Sequence, residues 1–235
     1  MRRLLSGPTS NRVIVELLRA TKSGRSASID TVASHSRCSS EFAREVLAEL
    51  GVNPEDNQLT IFTGDRLWLA IEVARRGALG DVTRSLDWHE FEMFTERCLA
   101  EAGYDVERDV RVRDGTRSWQ IDVLGMKADT ALCFDCKHWS SPSYPSKLEQ
   151  ATEHQAAATR ILLQNIWETK SPHINGLPIV LTILDPRQRV RNGVVLLSIR
   201  QLPDFLGNLA VYSGDLPFIA SKGSTAENPI KESRF

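Results

Sequence analysis

Apolar positions recur at helical spacing in the first third of the chain and at strand spacing further on. In NRVIVELLRATKS (residues 11–23), Val13, Ile14, Leu17 and Leu18 make a helical stripe that stops near Ser23-Gly24. Ser28 stands where a cap would open a short helix over residues 29–35. A turn at residues 36–39 leads to a longer helix with Phe42, Val46, Leu47 and Leu50 on one face and Gly51 as its stop. Residues 52–62, with Asn53-Pro54 and Asp56-Asn57, predict a turn and a return strand, and residues 67–78 a further helix. Residues 88–102 read as an amphipathic helix that buries Phe91, Phe94, Cys98 and Leu99 and ends at Gly103. Strands are predicted over 104–112, 118–125 and 130–139, then a helix over 147–167 and a strand over 177–184. A turn around Pro186 precedes a last strand and helix within 193–206. Residues 221–235 have the composition of a tail.

These elements describe an α/β protein with two kinds of region and no internal repeat. Helix, short helix, turn, longer helix and hairpin is the order of a winged helix-turn-helix, whose longer helix enters the DNA major groove. The first fifty residues lean basic, and Arg37 and Arg44 lie on the turn and the longer helix, where they could meet DNA. A plain helical bundle fits the same pattern. The α-β-β-β-α-β order that follows predicts a mixed sheet flanked by helices. The expected division is residues 1–84, 85–220 and a tail from 221.

Composition narrows the class without choosing a partner. The 235 residues are 41 % hydrophobic and 25 % charged with a net charge of −1, so any basic surface must be local. No apolar run approaches the roughly 18 residues of a membrane span, and MRRLLSGPTS lacks the apolar core of a secretory signal. Cys38, Cys98, Cys133 and Cys136 show no disulfide framework. A cytoplasmic protein with free thiols is expected.

The chemistry is concentrated in QIDVLGMKADTALCFDCKHW (residues 120–139). Alternation puts Asp135 and Lys137 on one face of their strand and Leu132, Phe134 and Cys136 on the other. A tight turn between Ala128 and Asp129 would set Asp122 opposite Asp135, roughly 4.5–5.5 Å apart at Cβ. Two carboxylates so placed repel unless a cation lies between them. Hard oxygen ligands suit Mg²⁺, which needs only one or two carboxylates and keeps waters for a phosphate substrate. Lys137 beside it could orient the attacking water or steady charge on phosphorus. A further acid is expected from the 88–102 helix: Glu92, with Glu90 and Glu96 as competitors.

The set Glu92, Asp122 and Asp135-Cys136-Lys137 resembles the PD-(D/E)XK nucleases, above all archaeal Holliday-junction resolvases and Mrr-type restriction endonucleases. FEMFTERCLAEAGY (residues 91–104) has the helix and Gly-Tyr that precede the catalytic strands in that superfamily. The resemblance covers about residues 88–200. It implies a restriction-endonuclease-like core and Mg²⁺-dependent DNA cleavage, with Mn²⁺ as a substitute. It implies Asp122 and Asp135 as metal ligands, the Cys136 carbonyl as a third, Glu92 as an outer ligand and Lys137 as the catalytic lysine. Ile121 replaces the usual proline, and Asp135 is one methylene shorter than glutamate. Relatives carry a polar residue on the next helix, for which Gln150 and Gln155 are candidates, and Lys147, His154 and Arg160 could face a phosphate backbone. The implied partner is duplex or branched DNA, with a homodimer as the form that cuts two strands.

Two other readings use the same residues. A DNA-binding regulator could keep the fold and lose the chemistry. Cys133, Cys136 and His138 suggest zinc or redox chemistry, but cysteines three apart in a strand point to opposite faces and no second pair exists.

Overall fold

The computed structural model describes residues 7–115, 117–139, 145–170 and 173–221. Helix α1 (Pro8–Ala20) starts with proline at its first position, where the missing N–H costs nothing, and buries Val13, Ile14, Leu17 and Leu18. Strand β1 (Ser26–Ser28) leads into α2 (Ile29–Ser36), capped by Ser28, whose hydroxyl accepts from the Asp30 N–H. Arg37 turns the chain in the left-handed region, and α3 (Ser40–Glu49) begins under a Ser39 cap. The return strand β2 (Gln58–Thr60) pairs antiparallel with β1. The expected hairpin over 52–62 is reduced to one bridge, Glu55 to Gln58, across the tight turn at Asp56-Asn57.

The next helix differs from its sequence pattern. Helix α4 spans Thr63–Val73, four residues ahead of the expected start, and passes into a wide turn over Ala74–Ala78. Gly77, at φ 89°, breaks the helix there and lets α5 (Leu79–Ser85) set off anew. Helix α6 (Trp88–Glu101) opens with a capping box: Asp87 accepts from the Glu90 N–H, and Glu90 accepts from the Asp87 N–H.

The sheet is built on β3 (Asp105–Asp114), β4 (Arg117–Lys127) and β5 (Thr130–Lys137), an antiparallel meander. Helix α7 (Pro145–Lys170) then crosses over to β6 (Asn175–Thr182), which runs parallel to β5. Strand β7 (Val190–Arg191) and β8 (Val194–Ser198) complete the far edge, β8 parallel to β6. Short helices α8 (Leu202–Gly207) and α9 (Leu209–Tyr212) and strand β9 (Ile219–Ala220) follow, with β9 pairing the start of β6. The order is β3-β4-β5-β6-β8-β7: a mixed sheet flanked by helices. Ser221, expected to open the tail, is buried and exchanges hydrogen bonds with Ile174, while residues 222–235 of that expected tail lie outside the described residues.

Alternation along the strands divides the core. Leu132, Phe134, Leu177, Ile179 and Leu181 share one cluster with Phe91, Phe94 and Leu99 of α6 and with the buried residues of α1 to α4. Ala131, Cys133 and Leu124 pack with Ile161, Leu162 and Leu163 of α7 on the other face. Apolar burial therefore runs without a break from the N-terminal helices into one face of the sheet. Among the described residues, no helix is long and apolar enough to cross a membrane.

Candidate active site

The turn between β4 and β5 has the expected two residues, Ala128 and Asp129, with Lys127 paired to Thr130. The register continues to Val123 opposite Phe134 and stops there. The next residues on the two strands, Asp122 and Asp135, lie just beyond the last pair. At that step the strands exchange a ladder bond for a side-chain one: the Asp122 carboxylate accepts from the Cys136 N–H at 2.8 Å.

The other side of β4 is irregular at the same residue. Arg108 pairs Val123 and Val110 pairs Ile121, but Asp109 and Asp122 between them do not pair, and Asp109 takes φ 54°. The side-chain alternation shifts across this step: Val123 joins the α6-side core, while Ile121 joins the α7-side core. Asp122 thus sits where both ladders of its strand are interrupted. Gln120, two residues before it, donates to Asp109 at 2.9 Å and reaches Asp122 at 3.4 Å.

Asp122, Asp135 and Lys137 line one open cleft of about 530 Å³, together with Gln120, Trp139, Lys147, Gln150 and His154. The Lys137 ammonium donates to Asp135 Oδ1 at 2.6 Å. Burial alone would lower the Lys137 pKa, but the charge and hydrogen bond of Asp135 outweigh it and hold the ammonium protonated. Asp122 is pushed up to about 6, first by burial and then by the charge of Asp135. Among the described residues, buried Asp135 Oδ2 has no hydrogen-bond partner.

Glu92 approaches from α6 and is not among the residues lining the cleft. It is 5 % exposed, and burial followed by the charges of Asp122 and Asp109 raises it to about 7. His89 Nδ1 lies 3.8 Å from its Oε2. Among the described residues, no three His, Cys, Asp or Glu side chains are close enough together to form a metal cluster.

The site therefore provides two carboxylates on one cleft, a buried acceptor without a donor among the described residues and a third acid close enough to feel the charge of Asp122. This fits a hard cation bound through one or two carboxylates and otherwise hydrated, the habit of Mg²⁺. It does not fit an all-protein cage. The cysteines point apart, as alternation requires. Cys133 is buried against α7, and Cys136 Sγ lies 3.8 Å from Thr95 Oγ1 on α6. Burial raises both thiols, Cys133 to about 12 and Cys136 well above the ordinary value, which leaves them protonated and poor ligands for zinc.

The remaining candidates separate by location. Lys147 and Gln150 lie in the cleft, on the first turns of α7. Gln155 is fully buried and donates to the Cys133 carbonyl at 2.6 Å, so it ties α7 to β5 and is out of reach of a DNA backbone. Arg37 and Arg44 are exposed on the N-terminal helices, with Arg44 donating to Asn57 at 2.7 Å. Gln120 was not anticipated, although its place two residues before Asp122 in a strand was the available signal. Glu90, a competitor for the role of Glu92, faces elsewhere. It is fully buried and pairs with Arg66 at 2.7 and 2.9 Å and with Arg25 at 2.6 Å.

Comparison with known proteins matches residues 83–166 to the family model Mrr_cat, described as restriction endonuclease. An uncharacterized protein of Archaeoglobus fulgidus is 25 % identical over 134 residues, which is 56 % of this chain and 98 % of the relative. Among solved structures, protein VC1899 from Vibrio cholerae aligns with a TM-score of 0.43 at 13 % identity, over 88 % of this chain. This chain spans 57 % of the length of that protein. The small subunit of the heterodimeric restriction endonuclease R.BspD6I aligns with a TM-score of 0.33 at 15 % identity, over 65 % of this chain and 79 % of the subunit.

Proposed function

We propose, for a chain whose residues 83–166 belong to the restriction endonucleases of the PD-(D/E)XK superfamily, that it is a divalent-metal-dependent DNA endonuclease. The observation that carries this reading is the one cleft that Asp122, Asp135 and Lys137 line together, with Lys137 held at 2.6 Å from Asp135. Asp122, Asp135 and the Cys136 carbonyl would hold Mg²⁺, and Glu92 would act through its hydration shell. Bound there, Mg²⁺ supplies Lewis-acid polarisation of the phosphoryl oxygen and acidifies a coordinated water.

The protein's own groups do the rest. Asp135 fixes the Lys137 ammonium in its charged form. Lys137 orients the attacking water and steadies the negative charge that grows on phosphorus. Asp122 stays in place because the Cys136 N–H donates to it, so the carboxylate does not have to reorganise as charge develops. Lys147 and Gln150 bind the phosphates on either side of the scissile bond. The N-terminal helices, in the order α1-β1-α2-α3-β2, serve as a winged-helix-like module, with Arg37 and Arg44 toward DNA.

The test is a panel of duplex, branched and single-stranded DNA incubated with the full chain in Mg²⁺, Mn²⁺ or EDTA, beside Asp135→Ala. Metal-dependent cleavage by the wild type, absent in the variant while DNA binding persists, supports the reading. A wild type that binds DNA but cuts no member of the panel with either metal would make the chain a DNA-binding regulator with a silent nuclease fold.

A further inference from the structure

We infer that the N-terminal helices are a built-in part of the nuclease site: Arg66 and Arg25 are positioning residues that set the catalytic helix α6, and with it Glu92, through Glu90. This inference rests on the function proposed above.

Arg66 is the largest fully buried side chain of the molecule among the described residues. All three guanidinium nitrogens are engaged. Nε and Nη2 grip the two oxygens of Glu90, Nη1 donates to the Leu18 carbonyl at 2.8 Å and Thr21 Oγ1 at 2.5 Å, and Nη2 also donates to the Ser85 carbonyl at 3.1 Å. One side chain thus joins α1, α4, the end of α5 and the first turn of α6. Arg25, beside β1, adds a bond to Glu90 at 2.6 Å and one to Asp87, the α6 cap, at 3.2 Å. The capping box uses the same Glu90 carboxylate.

Glu90 and Glu92 are two residues apart, so they project roughly 200° apart around the helix axis. One bonds the arginines, and the other, on the far side of the helix, lies within range of the charge of Asp122. The helix is gripped through Glu90, and a shift or roll that loosens that grip carries Glu92 with it. A second contact reinforces the joint: His138, directly after Lys137, packs its ring edge-on against Phe91 of α6 at 6.0 Å and lies close to Thr83, Leu86 and Lys22. Both strands of evidence join elements of the first 86 residues to neighbours of the catalytic set. A removable targeting module would instead meet the nuclease core through an exposed linker with few buried charges.

The experiment uses the full chain with Arg25→Gln, Arg25→Lys and Arg66→Lys. Arg25 is 34 % exposed at its side chain, so its replacement leaves the fold standing. Arg66→Lys keeps the charge and loses the fork. Each protein is titrated with Mn²⁺ alone, followed by electron paramagnetic resonance, and then assayed for cleavage. Arg25→Gln and Arg66→Lys are expected to bind Mn²⁺ about tenfold more weakly, as when outer-shell partners of a metal site are lost. Their kcat should fall about 10- to 100-fold with KM within about twofold, as when a distant change misplaces a catalytic group. Arg25→Lys should recover most of both.

Folded Arg25→Gln with wild-type Mn²⁺ affinity and kcat overturns the inference, whatever its melting temperature. A rise in KM alone also overturns it, because the arginine would then be a DNA contact. If Arg66→Lys does not fold, Arg25→Gln decides. A wild type that binds no Mn²⁺ removes the proposed function itself, and the inference with it, an outcome the variants cannot mimic.

Discussion

Glu90 and Glu92 lie on the same helix, both buried, two residues apart, and the fold treats them in opposite ways. Glu90 would be pushed up by burial, but bonds from Arg66, the Asp87 N–H and Arg25 outweigh it and hold the carboxyl down at about 2. Glu92 has no such donors. Burial, Asp122 and Asp109 drive it up to about 7. The first cluster is electrostatically complete within the protein. The second is only partly balanced: Lys137 bonds Asp135 Oδ1, while Asp122 is raised to about 6 and Asp135 Oδ2 has no partner among the described residues. Buried acids that find their cations in the same chain build the fold, whereas buried acids left without them leave room for a cation from solution.

The strongest way to break this comparison is to remove charge on the incomplete side. Asp122→Asn keeps the shape and the acceptor for the Cys136 N–H. Cleavage under single-turnover conditions should fall by about 10³-fold or more, since electrostatic groups at a reacting centre are each worth about 10²–10³. The same substitution should stabilise the metal-free protein by about 1 kcal/mol in urea unfolding, because it relieves a like-charge pair. Loss of activity with gain of stability is the expected signature. A destabilised Asp122→Asn would place Asp122 among the structural acids with Glu90.

On the complete side the sign reverses. Glu90→Gln leaves the Arg66 guanidinium buried without its counter-charge, and breaking a buried pair costs about 3–5 kcal/mol. Urea unfolding in EDTA should show that loss. A change under 1 kcal/mol would mean that the pair contributes no more than an exposed one.

Much of this was legible in the sequence. The α6 stripe of Phe91, Phe94 and Leu99, the cap at Ser28 and the two-residue turn at Ala128-Asp129 follow from local chemistry, and the structure has each of them. The register of the pairs from Lys127–Thr130 to Val123–Phe134 followed from counting back from that turn. The Arg66–Glu90 pair was not legible, because it joins positions 24 apart through a tertiary contact and neither residue stands out in its own window. The start of α4 was missed because Thr63 and Asp65 look like loop residues until the helix is built over them. The ladder break at Asp109 was hidden as well: alternation assumes a regular strand, and a single unpaired step shifts which side chains share a face. Gln155 was misread for a related reason, since helical position alone does not say which polar residue turns inward to meet a sheet carbonyl.

pH sharpens the comparison without any mutation. Below its ordinary value of 4.5, Glu90 stays ionised in the folded state down to about 2, while the unfolded chain takes up a proton. Its stabilisation is complete above pH 4.5 and is lost as pH falls toward 2. Glu92 has the opposite sign: between 4.5 and about 7 the folded state holds a proton that the unfolded chain has released, so stability declines as pH rises through that range. Asp122 adds to the decline between 3.8 and about 6. In EDTA, the two carboxyl clusters should therefore give a stability maximum at about pH 4. Added Mg²⁺ should lift the neutral limb and leave the acid limb unchanged, because only the incomplete cluster takes up the ion. An equal lift on both limbs would mean the metal binds elsewhere.

The smallest effect separates the cleft from its chemistry. Lys147 lines the same cavity as Asp122 and Asp135 but belongs to α7, not to the strands that carry them. If it binds a phosphate, Lys147→Ala weakens DNA binding alike across sequences and reduces the slope of log affinity against log salt by about 1. Because the substitution leaves both acid clusters as they are, kcat at saturating DNA and the Mg²⁺ dependence should stay at their wild-type values. Binding isotherms at several salt concentrations, read beside a Mg²⁺ titration of kcat, check both halves. An altered Mg²⁺ dependence would move Lys147 from the phosphate contacts into the set of groups that balance the buried acids, and the incomplete cluster would then have a second cation of its own.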